Sequence, residues 1–306
     1  FSYERAKKIK SDNISPWRRA ICGDLTSVFR PYQGENLVVP KTLKRAEVIT
    51  GLQNAKSKPA QVQPTELSAI EIEKINTKLP FQNEVSVFAP VQEKGTKPAC
   101  ALPYQLTVDA EIKSEEVSLS FASAKTPFGQ KLENKGAPFN VYTPSIYQKE
   151  AGRTWAYAVS AGAQITDQWK ISDFENGIYS LVVNGPNGFF RAFKGNKNDP
   201  KLALACRYEQ GGVLKKITGN LLLELENKEN KALEVLIKDE EYKTINKKVV
   251  IPANSKKAVL INLQNTKAWY NFKLTISGHT YFLKHYAGHI ETGEESISDP
   301  FMGGIL

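Results

Sequence analysis

The chain has 306 residues, of which 41% are hydrophobic, 24% charged and 10% aromatic. That is the composition of a globular protein of about two domains, and it excludes collagen-like, coiled-coil and wholly disordered chains. The net charge is +9, but residues 1–60 hold twelve Lys and Arg against five Asp and Glu, so the remainder carries only +2; a nucleic-acid groove needs Lys and Arg interleaved with aromatics on one face, and nucleic acid is not an expected partner.

Residues 4–10 and 43–55 allow short helices, and Pro64 followed by Thr65 to Lys74 reads as an amphipathic helix with Thr65 at its start. Prolines 31, 40, 59, 64, 80, 90 and 98 prevent any long regular element, so residues 39–98 read as a Pro-rich connector with a little local structure. From about residue 99 the pattern changes to short runs rich in Val, Ile, Leu, Phe and Tyr between turn signals. The runs at 104–112 and 117–121 alternate polar and apolar residues, which puts one face inward and one in water. Further runs follow at 139–143, 155–160, 178–184, 202–208, 221–226, 233–238, 247–251, 257–263, 269–276 and 280–287. The expected fold is all-β: two tandem immunoglobulin-like β-sandwiches preceded by a mixed, irregular segment with short helices. No apolar run approaches the roughly 20 residues that cross a bilayer as a helix. Met302 is the single methionine and the chain opens on Phe1 without a charged-then-apolar leader, so a mature product or a fragment is expected.

An internal repeat sets the number of sandwiches. Tyr179 matches Tyr270, and after a two-residue length difference at the turn Phe189, Arg191, Phe193 and Gly195 match Phe282, Lys284, Tyr286 and Gly288. A strand pair lies upstream of each hairpin, Val117–Phe121 with 139–142 in the first and Leu221–Leu225 with 233–237 in the second. A period near 90 residues is too long for a solenoid, so two tandem domains, 99–196 and 197–306, are expected, each closing its own core.

Cys22, Cys100 and Cys206 are odd in number and far apart, which argues against a disulfide framework and offers no CxxC metal spacing. His285 and His289, with His279 nearby, sit about 13 Å apart at strand rise, too far to share one ion, and read as hairpin and edge histidines. Glu291, Glu294, Glu295 and Asp299 read as a solvated tail or docking strap, because acid/base work needs carboxylates held in a pocket. The Gly185-Pro-Asn-Gly188 run joins two strands and does not open a helix, so it reads as a hairpin turn. No catalytic, cofactor-binding or metal-binding residue is expected in this chain.

Four separated stretches together resemble a known family. Ser15-Pro-Trp-Arg-Arg-Ala-Ile-Cys-Gly-Asp-Leu-Thr-Ser-Val-Phe29 resembles the segment closing the catalytic domain of the bacterial phosphocholine-specific phospholipases C, whose relatives include acid phosphatases. Lys97-Pro-Ala-Cys-Ala-Leu-Pro-Tyr104 and the Asn184-Gly-Pro-Asn-Gly-Phe-Phe-Arg191 hairpin resemble the start and the most recognisable turn of that family's first C-terminal domain, and 286–303 resembles the end of its second. The resemblance implies a secreted or periplasmic esterase that cleaves between diacylglycerol and phosphocholine. It also implies that the nucleophile, metal-coordinating groups and phosphate-binding residues lie upstream, residues 1–38 being the tail of the catalytic domain. The upstream catalytic domain is then the expected partner and a choline-phospholipid surface a second one.

Within the first motif, Trp17, Arg18, Arg19 and Asp24 could hold a lipid phosphate through forked hydrogen bonds, or the arginines could bind the carboxylate and dock the segment; the density of Pro, Trp and paired charge favours docking. Phe189, Phe190 and Trp155 are candidates for contact with a lipid surface, set against the commoner fate of sandwich aromatics as core. The alternatives to a phospholipase C region are a stand-alone tandem adhesive or carbohydrate-binding module and the C-terminal part of a related acid phosphatase.

Overall fold

Alternation of apolar and polar residues drives much of the chain into strands, and among the described residues the α-helices lie within the first 77. The computed structural model describes residues 2–22, 34, 44–60, 66–77, 94–125, 127–128, 136–213, 216–239 and 241–305. The chain divides into two units, Phe1–Gly23 with Lys94–Leu306, and Asp24–Glu93.

The first unit opens with α1 (Ser2–Lys7) and α2 (Pro16–Ile21). Pro16 suits the first turn of α2, where its missing N–H costs nothing, and the Ser15 side chain caps the helix by accepting from the Arg18 N–H. In the second unit, α3 (Arg45–Gln53) runs on into a 3-10 turn at Asn54–Ser57, and α4 (Ala69–Thr77) follows. Helix α4 starts after Ser68: Glu71 N–H donates to Ser68 Oγ and the Ser68 N–H donates to Glu71 Oε2, a capping box. The expected start at Thr65 lies outside the described residues.

After the short β1 (Pro98–Ala99), the first copy of the repeat comprises β2 (Leu106–Lys113), β3 (Glu116–Ser123), β4 (Ala137–Tyr142), the small pair β5 (Ile146–Tyr147) and β6 (Glu150–Ala151), then β7 (Thr154–Val159), β8 (Gln164–Lys170), β9 (Ile178–Asn184) and β10 (Phe190–Asn196). The second comprises β11 (Leu202–Gly211), β12 (Lys216–Asn227), β13 (Leu233–Lys238), β14 (Asn246–Ile251), β15 (Lys256–Ile261), β16 (Trp269–Ile276) and β17 (His279–His289), with β18 (Ser296–Ile297) in the tail. Each copy supplies one three-stranded sheet, β2-β3-β8 or β11-β12-β15, and four strands of one eight-stranded sheet ordered β14-β13-β16-β17-β10-β9-β4-β7.

That order reads the same from either end once each strand is exchanged for its repeat counterpart. The centre is the antiparallel pairing of β10 with β17, in register Arg191↔Tyr286, Ala192↔His285 and Phe193↔Lys284. Arg191 and Phe193 are the counterparts of Lys284 and Tyr286, so the junction has the self-complementary geometry of a two-fold dimer within one polypeptide. The pairing also removes two exposed strand edges.

Buried side chains of both copies form one contiguous cluster that includes Phe121, Phe139, Phe193, Leu223, Phe272 and Tyr286. In the first copy Phe121 of β3 reaches across to Phe139 of β4, ring centres 5.5 Å apart, and stacks on Tyr157 of β7 at 4.7 Å. Between the copies, Arg207 of β11 is 2.8 Å from Asp109 of β2.

Candidate functional site

The most highly organised polar region lies where the hairpin turn of the first copy meets the tail of the second. The turn runs through Pro186–Phe189, closed by Phe189 N–H donating to Pro186 O at 3.2 Å. Asn187 adopts a left-handed φ of 56°, a conformation that Asn tolerates better than most residues. Its amide Nδ2 donates to Glu291 Oε1 at 2.7 Å. The other carboxylate oxygen accepts from the Leu102 N–H at 2.9 Å. His289 Nδ1 is 2.9 Å from Glu291 Oε1, and Nε2 lies 3.0 Å from Ser296 Oγ and 3.2 Å from the Lys267 carbonyl. Glu291 is only 3% exposed and His289 8%.

Glu291 is therefore a node joining the lead-in to the first copy, the turn of that copy and the end of the second. Three of the stretches that carry the family resemblance, 97–104, 184–191 and 286–303, meet there. The tail is stitched onward: β18 pairs with β1, Trp269 Nε1 donates to Ile297 O at 3.0 Å, and Gly95 N–H donates to Gly303 O at 2.8 Å. Gly303 has to be glycine for this approach, since a Cβ there would stand 2.4 Å from Gly95 O. A cavity of about 350 Å³ opens beside the cluster, lined by His289, Ser296, Asn220 and Thr292. Ser296, His289 and Glu291 have the connectivity of a nucleophile, base and orienting acid. The Lys267 carbonyl on the same imidazole nitrogen competes for the proton a base would have to accept, so the geometry serves a latch better than acyl transfer.

The repeat also buries a cation in each copy. Arg191, 1% exposed, donates to Phe190 O, Ala287 O and Tyr270 OH at 2.7, 3.0 and 2.9 Å. Its guanidinium stands 4.0 Å from the Phe189 ring centre and 4.9 Å from that of Tyr286, so aromatic faces replace part of its water. The counterpart Lys284 is 5% exposed and donates to Ala110 O at 3.0 Å. Burial pulls its ammonium down to about 8, opposed by the charges of Asp109, Asp199 and Glu111. Burial also pushes the Cys206 thiol up to about 11, which removes it as a nucleophile at neutral pH.

The residues singled out from sequence fall in several places. Arg19 forms a two-pronged pair with Glu4, at 2.8 and 3.1 Å, and also donates to Ser11 O. The Arg19 hydrogen bond holds the Glu4 carboxyl at about 2. The carboxylate that engages the motif is thus Glu4, while Asp24 lies outside the described residues. Trp17 is 44% exposed and Arg18 is exposed. Helix α2 lies against β7 and β4 of the first copy.

Phe189 is 5% exposed, packed edge-on to Phe139 and under Arg191. That corrects its place among the candidate lipid contacts, because the Arg191 cation draws the ring inward. Phe190 is half-buried against His285, and half-buried Trp155 meets Tyr147 and Trp169 edge-on, each at 5.4 Å. Of the two readings of the acidic tail, Glu291 is buried and tied down as a docking strap would be and not solvated, while Glu294 and Glu295 are exposed and Asp299 accepts from the Phe301 N–H. His285 meets Asn271 and His289 meets Glu291. Among the described residues no three His, Cys, Asp or Glu side chains are placed to hold a metal ion.

A family model for the C-terminal domain of bacterial phospholipase C matches twice, over residues 98–196 and 202–289. The chain belongs to that family. The two matches coincide with the two copies of the repeat. A non-haemolytic phospholipase C of Pseudomonas aeruginosa is 32% identical over 304 residues, and the haemolytic phospholipase C of the same organism is 28% identical over 315. A non-haemolytic phospholipase C of Burkholderia pseudomallei is 26% identical over 294 residues. The matches take in 96%, 98% and 96% of this chain but 38%, 40% and 37% of those relatives.

Proposed function

We propose that this phospholipase C C-terminal region is the accessory part of a longer, secreted or periplasmic polypeptide whose upstream portion hydrolyses phosphatidylcholine to diacylglycerol and phosphocholine. Its two sandwiches brace that catalytic domain, and the chain by itself is catalytically incomplete. The observation that carries the reading is the double family match along a chain spanning little more than a third of the length of phospholipases C that it resembles. The Arg19–Glu4 pair and the packing of α2 on β7 and β4 support the bracing role, since they fix residues 2–22 to the first sandwich. Approach to a choline-phospholipid surface belongs to the same reading, with Phe190 as its contact, since Trp155 packs against the core.

The upstream reading frame tests this. A few hundred codons of phosphoesterase sequence continuous with Phe1 are expected. A start codon and leader directly before Phe1 would overturn the reading and favour a stand-alone tandem-sandwich module.

A further inference from the structure

One face of the eight-stranded sheet belongs to the core, and the register defines what stands on the other. In the second copy that outer face carries Glu234, Lys238, Lys248 and Lys273, with Lys248 3.0 Å from Glu234. Ionisable side chains are what a sheet face meeting water normally presents. In the first copy the same four positions hold Pro138, Tyr142, Ala156 and Val182. No Asp, Glu, Lys or Arg stands on the outer face of β4, β7 or β9. Over these three strands one backbone plan thus carries charged groups in one copy and none in the other, the outer Lys194 of β10 standing nearer the sheet's centre beside Ser180, so the fold itself does not dictate the difference.

Two further observations bear on what meets these strands. Helix α2 already rests against β4 and β7, and Gly136 at the head of β4 comes so near that a Cβ would stand 2.4 Å from Ala20 O. Beyond that contact Tyr142 stays 37% exposed, and Ala156 and Asn140 are exposed. The mixture of apolar groups with uncharged hydrogen-bonding ones is that of an interface between domains of one chain, where charge is depleted at the centre.

We propose that this uncharged face of β4, β7 and β9, centred on Tyr142 and Ala156, is where the polypeptide preceding Phe1 docks, continuing the contact that α2 begins. The proposal rests on the reading that a catalytic region lies upstream. The second copy keeps its charged face in water.

Hydroxyl-radical footprinting of the full-length polypeptide, read by mass spectrometry, tests this with an internal reference: Tyr281 of the second copy is 46% exposed. In the 306-residue chain Tyr142 and Tyr281 should label at similar rates. In the full-length protein Tyr142 should label about fivefold or more slowly relative to Tyr281, as burial at an interface centre requires. Ala156→Lys, which installs the residue type of the counterpart Lys248, should restore Tyr142 labelling, whereas Lys248→Ala should leave it unchanged. Equal labelling of both tyrosines in a full-length protein that hydrolyses phosphatidylcholine would overturn the docking while leaving the upstream reading intact. A reading frame without a catalytic region would overturn both. Concentration-dependent protection of Tyr142 in the 306-residue chain alone would reassign the face to self-association and overturn the proposal.

Discussion

Replacing Glu291 by Ala removes three contacts at once: the hydrogen bond with His289 Nδ1 at 2.9 Å, and the acceptors for Asn187 Nδ2 and the Leu102 N–H at 2.7 and 2.9 Å. Both partner side chains of the pair are almost wholly buried, at 5% and 4% side-chain exposure, so water cannot replace what is lost. Removing a buried carboxylate that takes part in three hydrogen bonds costs about 3–5 kcal/mol, since each bond to such a group contributes roughly 1.5–3 and the effects of one network do not add. For a body of this size the change lowers Tm by roughly 6–20 °C. Glu291→Gln keeps one acceptor and loses the charge, and should cost about 1–2 kcal/mol. Denaturant unfolding followed by tryptophan fluorescence measures both, and Trp269, with its ring 4.8 Å from that of His289, reports on the site itself. Hydrogen exchange should rise together in 97–104, 187–189 and 296–298, the strands and turn that the carboxylate joins. A Glu291→Ala protein within about 0.5 kcal/mol of wild type, the range of ordinary surface substitutions, would refute the latch.

Three other outcomes follow from the same geometry. Lys284 has its pKa lowered by burial from 10.5 to about 8, so the unfolded state binds the extra proton between those values; stability should gain about 3 kcal/mol from this group as pH rises from 8 to 10.5, and Lys284→Met should remove that slope in paired unfolding curves. Glu4 is lowered to about 2, so its contribution is fully present above the ordinary carboxylate range and lost as pH falls through 2; Glu4→Gln should therefore mimic acid and speed proteolytic cleavage within 8–22 at neutral pH. Phe189→Ala should cost about 3–5 kcal/mol as a core truncation, and unchanged stability with weakened vesicle binding would instead return the ring to the surface.

How far the fold could be read ahead of the structure depended on whether alternation survived in each segment. Residues 270–276 alternate cleanly, and 233–238 are rich in Leu, Val and Ile with Leu233, Val235 and Ile237 at every second place; the two segments became β16 and β13 with the expected bounds. Strand β8 (Gln164–Lys170) went unrecognised because its inward row is Ile165, Asp167 and Trp169, and the middle member is polar. Asp167 fits there because the Tyr157 hydroxyl donates to it at 2.5 Å, a partner from another strand that no local pattern displays. The Ser68 to Glu71 spacing did carry a capping-box signal for the true start of α4.

The site was less legible than the fold for a physical reason. Glu291 finds its donors 104 and 189 residues away along the chain, so a carboxylate in a Gly- and Glu-rich tail looks solvated until the tail is seen to fold back. The hairpin repeat did expose the matched positions of Arg191 and Lys284. It did not show that both are buried, because the β10–β17 pairing that buries them joins two copies that each look complete alone.

The central claim is that this double sandwich supports chemistry carried out elsewhere in its polypeptide. Hydrolysis of phosphatidylcholine by the 306-residue chain and by the full-length protein, at equal molar concentration, tests it most directly. The full-length protein should release phosphocholine while the 306-residue chain releases none above buffer; turnover by the shorter chain, abolished by a substitution among its own residues, would contradict the account.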